Sequence, residues 1–297
     1  MASSTEPTYD PETYWVAPKR NFRSSARLHF QHALFQKTLN NVLLHPSIDA
    51  AASGSSSLRV ADLGCGNGVW LSDLHDSLTA QGVTSHRLDG FDVNPVNFPP
   101  AHTLPSNIHL STLNVFNLPA ELEGVYDVVH LRAFVSIVTK NDPSAIIGVV
   151  LRMLKPGGHV QWEETRVDLQ TCSSAGPEVS KTANETLIKV INAGGAALGN
   201  TYDFLAQLGS HLEKGGFESV ESKQTPKRPA DLKAWTENYL MVWEEIPDLL
   251  PSKALAPNSP VTKESFTELF VKCVEETEKG VVVHQEGVLS VVARKPL

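Results

Sequence analysis

The sequence predicts an α/β fold with a mostly parallel central sheet and helices on both of its faces. Three observations predict it. Short β-rich runs recur through the middle of the chain, apolar residues at helical spacing fall between them, and the run LRVADLGCGNGVWL (58–71) stops an apolar strand on an acid before placing three glycines in five residues. Alternating βα units bury both faces of a sheet, which is why such strands read as apolar runs with little polar alternation.

In chain order, Leu28, Phe35, Leu39 and Val42 keep a helical period from about Arg23 to Pro46, and AASGSSS (51–57) reads as a flexible connector. Strands are expected at 58–63, 87–93, 107–115, 126–131 and 159–169. Trp70, Leu71, Leu74 and Leu78 mark the first intervening helix. Ile147, Val150, Leu151 and Leu154 mark another, after the start signal Asp142-Pro143. Residues 178–214 read as one or two helices interrupted at Gly194-Gly195, followed by a strand at FESVESKQ. Asp231 is placed to cap a helix carrying Leu232, Trp235, Tyr239 and Trp243; a loop with four prolines in fourteen residues (247–260) follows. A last helix carries Phe266, Leu269, Phe270 and Cys273, and the valine-rich end reads as one final strand.

Composition bounds the function. The 297 residues are enough for one large domain, and 25 Lys and Arg against 33 Asp and Glu give a net charge of −8 with no basic run, a poor match to nucleic acid. No apolar run reaches the roughly 18–20 residues of a membrane span, and the start MASSTEPTYDPETYW lacks the pattern of a secretion signal, so a soluble cytoplasmic protein is expected. Cys65, Cys172 and Cys273 are odd in number and unpaired in spacing, against a disulfide framework or a thiolate metal site. His29 and His32 have no visible third partner for a metal, and no metal is expected.

The glycine loop admits three readings. A P-loop needs a lysine after its last glycine, where this chain has Val69 and Trp70. A dinucleotide fingerprint needs a glycine at its sixth position, which is Val69. In the third, Gly64, Gly66 and Gly68 let the backbone approach a nucleoside with an amino-acid tail while Asp62 faces its cationic part, an arrangement that suits S-adenosylmethionine. Such a ligand needs a carboxylate for its ribose hydroxyls about 20 residues beyond the glycines. Asp92 in LDGFDVNP is placed for it, although Asp before Asn-Pro is also a plain turn former. Cys65 reads as a small residue fitted into a tight loop, without a nucleophilic role.

With VADLGCGNG, LDGFDVNP, TLNVFNLP, YDVVHLRAFV and LRMLKPGGHVQWEE in that order over 58–170, the chain resembles the class I S-adenosylmethionine-dependent methyltransferases, and in particular those of fungal secondary metabolism. The resemblance implies a Rossmann-like seven-stranded sheet in the order 3-2-1-4-5-7-6 with strand 7 antiparallel. It implies an N-terminal helical cap and linker over 1–57 and a methyltransferase domain over 58–297, with a helical insertion at about 226–280. It implies that the glycines line the cofactor's methionine and ribose, that Asp92 accepts both ribose hydroxyls and that Val93 packs beside the adenine. Many relatives have an aspartate where Asn114 stands; here the Asn114 amide or the Val115 backbone meets the adenine instead. His130, Leu131 and Arg132 face the methionine portion and the acceptor.

In-line displacement at a sulfonium needs geometry and water exclusion more than a base. If a base acts, His130 is the first candidate, with Glu163 and Glu164 next. The N-terminal segment is expected to fold over the cofactor through Tyr14, Trp15, Arg23 or Arg27, an arginine matching its carboxylate. Arg132, Trp162, Trp235, Tyr239 and Trp243 complete the expected small-molecule pocket, with S-adenosylhomocysteine as product. The same residues also fit a cyclase that retains the cofactor, or a cofactor-binding regulator; oxygen, nitrogen, sulfur and carbon all remain open as the acceptor atom, and monomer and homodimer are both compatible.

Overall fold

The computed structural model describes residues 21–48, 57–83, 85–197, 199–249 and 261–297. Tyr14, Trp15, most of the serine connector and residues 250–260 of the proline-rich loop lie outside the described residues.

The central strand is β1 (Leu58–Leu63), flanked in parallel by β2 (His86–Asp92) and β4 (Tyr126–Arg132). β3 (Ile108–Thr112) extends the sheet beyond β2, and β5 (Leu154–Thr165) extends it beyond β4, both in parallel. Beyond β5 the sheet turns antiparallel: β9 (Val288–Arg294) runs between β5 and β7 (Glu218–Thr225), opposed to both. The seven-stranded order is therefore β3-β2-β1-β4-β5-β9-β7. Two short strands unforeseen in the sequence, β6 (Thr171–Ser173) and β8 (Val282–His284), pair antiparallel as a separate ribbon. Renumbered without them, the main sheet has the expected order 3-2-1-4-5-7-6.

Side-chain alternation explains the two covered faces. Leu58 and Val60 join Val128 and the buried stripe Trp70, Leu71, Leu74 and Leu78 of α2 (Val69–Ala80) on one face. Ala61 and Leu63 join Val129, Leu131 and Ile147 of α3 (Ser144–Met153) on the other, with Leu208 and Leu212 of α5 (Leu208–Lys214). Period-2 strands thus feed two separate apolar layers.

A third apolar cluster lies over the carboxyl ends of the strands. There α1 (Phe22–Thr38) supplies Leu34 and Phe35, α4 (Thr182–Ala197) supplies Leu187, α6 (Leu232–Glu244) supplies Trp235, and α7 (Lys263–Glu278) supplies Phe266. The start of α1 is fixed by a capping box, with the Arg23 N–H donating to Asn21 Oδ1 at 2.8 Å and the Asn21 N–H to Ser24 Oγ at 3.0 Å. Its end is earlier than the sequence period implies, because Asn40 and Asn41 take positive φ and turn the chain. Gln161 on β5 then holds the exit segment, accepting from the His45 N–H at 2.8 Å and donating to the Leu43 carbonyl at 2.9 Å.

Three local expectations are corrected. Helix α4 runs unbroken through Gly194-Gly195; Gly195 serves close approach, since a Cβ there would stand 2.8 Å from the Asn200 carbonyl oxygen. Asp231 makes no side-chain cap to α6 and instead accepts from Lys37 at 2.7 Å and Arg228 at 2.6 Å. The valine-rich end divides into β8 and β9.

Gly90 on β2 packs under the glycine loop, where an added Cβ would meet Leu110 at 2.5 Å, Leu71 at 2.8 Å and Cys65 Sγ at 2.9 Å. Three simultaneous overlaps in a filled layer predict that Gly90→Ala costs about 2 kcal/mol of stability, measurable by urea denaturation.

Candidate functional site

The turn after β1 is shaped by backbone geometry. Gly64, Gly66 and Gly68 have φ of 69°, 58° and 72°, the left-handed region that side chains resist. A Cβ at Gly64 would stand 3.1 Å from the Phe134 ring, and one at Gly66 2.9 Å from Leu28. The Gly66 N–H donates to Asp92 Oδ2 at 3.0 Å, while Asp92 Oδ1 accepts from the Asn94 N–H at 2.9 Å. The loop and the end of β2 are thereby one rigid edge.

Two adjoining hollows share that edge. The larger, of about 240 Å³, reaches from Gly64, Gly66 and Asp92 across Arg132 to Glu164. Its roof comes from Arg27 of α1, Asn192 of α4, and Asn238, Tyr239 and Trp243 of α6. The smaller, of about 30 Å³, is an apolar recess between Val93, Val115 and Phe134 with Asn114 at its rim; Gly64 and Asp92 belong to both. Asn114 Oδ1 accepts from the Phe116 N–H at 3.1 Å, holding the turn that forms the recess.

Beneath the larger hollow, buried polar groups are tied across strands. Asp62 and His130 are register partners on β1 and β4, with Asp62 Oδ1 and His130 Nδ1 2.8 Å apart. The His130 ring stacks on Trp70 at 3.6 Å, and its Nε2 lies 3.5 Å from Glu163. Arg132, the register partner of Glu163 on β5, donates from Nε to Glu163 Oε2 at 2.6 Å. Arg132 Nη1 meets His32 Nδ1 at 3.0 Å, and His32 Nε2 meets Asp73 at 2.8 Å. Burial followed by the Arg132 charge depresses the His32 imidazole below its ordinary range. For Glu163 burial alone would raise the carboxyl, but Arg132 and His130 outweigh it and hold it at about 2.

Glu164 is the opposite case. It is fully buried and, one residue on along the strand, points to the other face of β5. Its Oε1 accepts from the Phe134 N–H at 2.6 Å and the Trp162 indole N–H at 2.9 Å. Its Oε2 has no hydrogen-bond partner among the described residues. Burial pushes the carboxyl up to about 8 against the pull of the Trp162 indole and the Phe134 and Val135 N–H groups, with Glu163 adding repulsion. Asn238 is 1% exposed, and neither its amide oxygen nor its amide nitrogen has a partner among the described residues. Leaving such groups unpaired costs about 1–3 kcal/mol each, which makes Glu164 and Asn238 buried polar groups of the hollow with bonding capacity to offer a ligand.

The structure therefore redistributes the residues singled out in the sequence. Gly64, Gly66, Asp92, Arg27, Arg132, Tyr239 and Trp243 line the larger hollow, and Val93, Asn114 and Val115 line the smaller. His130 lines neither hollow: stacked on Trp70 and held to Asp62, it braces the strand ends. Glu163 is spent on Arg132 in the same way. Asp62 is occupied by His130, Leu131 is in the core, and Gly68 starts α2 against Leu110. Cys65 is buried, its thiol toward Gly90. Trp162 serves Glu164 rather than the hollow, and Trp235 is core, with the Lys227 ammonium 4.0 Å above its ring. Arg23 is exposed near Glu244.

Asn238 was missed. The visible signal was an amide inside the stripe Trp235, Tyr239 and Val242, a polar residue on a helical face otherwise given to packing.

A small apolar recess and a larger hollow of mixed lining, adjoining at the carboxyl ends of β1, β2 and β4, define an α/β protein of the ligand-binding crevice type. A family model described as a methyltransferase domain matches residues 30–238, and the chain belongs to that family. It is 36% identical over 156 residues to the methyltransferase grgD of a Penicillium species, covering 51% of this chain and 52% of the relative. It is 31% identical over 148 residues to the N-methyltransferase tcpN of Claviceps purpurea, covering 49% and 50%. The chain thus spans about half the length of the curated relatives it matches. Among solved structures, phosphoethanolamine N-methyltransferase 2 of Haemonchus contortus in complex with S-adenosyl-L-methionine aligns over 91% of this chain and 53% of that one, with a TM-score of 0.44 and 15% identity. No helix among the described residues is long and apolar enough to cross a membrane.

The Glu163 carboxyl predicts an acid-sensitive fold. Its folded value lies below its ordinary 4.5, so the stability it contributes is present above that value and is lost as pH falls toward about 2. Urea denaturation across this window is expected to show a loss on the order of 3 kcal/mol that Glu163→Gln lacks.

Proposed function

We propose that the protein transfers a methyl group from S-adenosylmethionine to a nitrogen of a small secondary metabolite held in the larger hollow. The observation that carries this reading is Asp92: a buried carboxylate at the end of β2, fixed by the Gly66 N–H and lining both hollows. The residues fit the cofactor on three counts. The glycine turn leaves no room for side chains where a ribose and methionine chain would pass. The lining of the apolar recess, Val93 and Val115 beside Asn114, matches the chemistry of an adenine ring and its amino edge. Arg27, 3.2 Å from Glu245 through Nε, has the planar cation for a carboxylate.

When bound, the sulfonium supplies an activated methyl group. The chain's own residues do the rest. Asp92 orients the ribose through charge-assisted hydrogen bonds. Arg132, locked by Glu163, fixes the floor, while α1, α4 and α6 roof the hollow and would position an acceptor within it. The N-methyltransferase names of relatives such as tcpN support nitrogen as the acceptor atom.

Calorimetry is expected to show that Asp92→Asn weakens S-adenosylmethionine and S-adenosylhomocysteine alike by about ten- to a hundredfold, the worth of hydrogen bonds to a charged group. Methyl-labelled cofactor should pass its label to an N–H-bearing acceptor. Unchanged affinity in the variant would falsify the assignment.

A further inference from the structure

The larger hollow contains an acid that the reading above does not use. Glu164 lines the hollow and is fully buried; its Oε2 is unpartnered among the described residues, while Oε1 is held by two N–H donors. With Oε1 committed as an acceptor, the proton of the neutral acid resides on Oε2, the oxygen without a partner. We propose that Glu164 is the proton-accepting group of the methyl transfer, and that the positive charge of the sulfonium entering the same hollow is what releases the Oε2 proton beforehand. This rests on the cofactor assignment above.

The balance of charge favours such a pairing. Before transfer the hollow holds a carboxylate, a sulfonium and a neutral N–H acceptor. The nitrogen lone pair forms the new C–N bond and the C–S bonding pair stays on sulfur. The N–H proton passes to Glu164 Oε2 and leaves its bonding pair on nitrogen. A carboxylic acid, a thioether and a neutral methylated product remain, so the buried site is neutral at both ends of the reaction. Losing the sulfonium charge also restores the high proton affinity of Glu164 at the step where a proton must be taken up.

The other charged groups around the hollow are committed or silent near neutrality. Arg132 of β4 is paired with Glu163 of β5, and Arg27 of α1 with Glu245 after α6. Asp92 at the end of β2 accepts from two backbone N–H groups. Burial raises the phenols of Tyr202 and Tyr239, that of Tyr202 to about 12. Lys227, lowered to about 7 by burial, donates to the Tyr239 hydroxyl at 2.6 Å, and His32, lowered by burial and the Arg132 charge, lies 3.0 Å from Arg132; both competing titrations persist in a Glu164 variant and are controlled for by it.

A group whose proton affinity falls on ligand binding makes that binding tighten as pH rises, until pH passes its value in the free protein. Calorimetry on the full chain should therefore show the ratio Kd(S-adenosylhomocysteine)/Kd(S-adenosylmethionine) rising about tenfold from about pH 6 to about pH 8 and then levelling, since the neutral thioether exerts no such pull. In Glu164→Gln, which keeps an acceptor for Trp162 and Phe134, the ratio should stay flat. Titrations of the unaltered protein in two buffers of different ionisation heat should show proton release with the sulfonium ligand in excess of that with the thioether, which tests the idea even if the variant folds poorly. A flat ratio in the unaltered protein, or a rise that survives in Glu164→Gln, overturns the role of Glu164 and leaves the cofactor assignment standing. Failure of both ligands to bind the unaltered protein overturns both.

Discussion

The hydrogen bond from the Gly66 N–H to Asp92 Oδ2 joins the first βα turn to the end of the neighbouring strand, and the rest of the site is built outward from it. Backbone bonds from Gly64 and Cys65 to the Phe91 carbonyl, at 2.7 and 3.0 Å, continue the β1–β2 pairing past the last strand residue. A turn anchored this way is a rigid extension of the sheet. Its cost is a carboxylate at 5% exposure, which is tolerable because backbone N–H groups solvate the charge in place of water. The same arrangement leaves Asp92 at the boundary between the apolar recess and the polar hollow, where one group can serve ligand atoms on both sides.

Glu163 and Glu164 show how strand geometry divides labour between adjacent identical side chains. Both are buried, so desolvation pushes both toward the neutral acid. Alternation sends one toward Arg132 and His130 and the other toward Trp162 and the hollow. An opposite charge beside the first reverses the effect of burial; hydrogen bonds from neutral donors beside the second only reduce it. The resulting separation, from about 2 to about 8, arises from partners alone. Environments that push two carboxyls apart in this manner assign one to holding structure and leave the other able to exchange a proton.

Much of this architecture was legible in the sequence because it follows from local rules. The bounds 58–63 for β1 coincide with the apolar run that the glycines terminate, and the seven-stranded order follows the order of the motifs. What was illegible depended on nonlocal partners. Gly194-Gly195 looks like a break until Asn200 is seen against the helix. Asp231 has the chemistry of a cap, but Lys37, nearly two hundred residues away in sequence, claims its carboxylate. His130 has the intrinsic proton affinity of a base, yet its position is decided by Trp70 and Asp62, on two other elements. The ribbon of β6 and β8 is too short to carry a periodic signal.

The roof and the floor of the hollow obey different constraints. The floor is sheet, where register fixes each side chain to its neighbours and a one-residue slip would exchange Glu163 with Glu164. The roof is assembled from α1, α4 and α6; α1 packs on α6, and α4 and α6 both pack on α7, within the third apolar cluster and away from the two main layers. Arg27 to Glu245 clasps the start of the N-terminal helix to the end of α6 across 218 positions of sequence. Substitutions in the roof can therefore reshape the hollow without disturbing the strand ends that grip Asp92. Asn238, unpaired among the described residues and surrounded by packing residues, is a polar group of this roof that lines the hollow. Under the proposed function, Asp92 of the sheet and Arg27 of the roof would both hold the cofactor, which leaves the rest of the roof to shape the space for an acceptor.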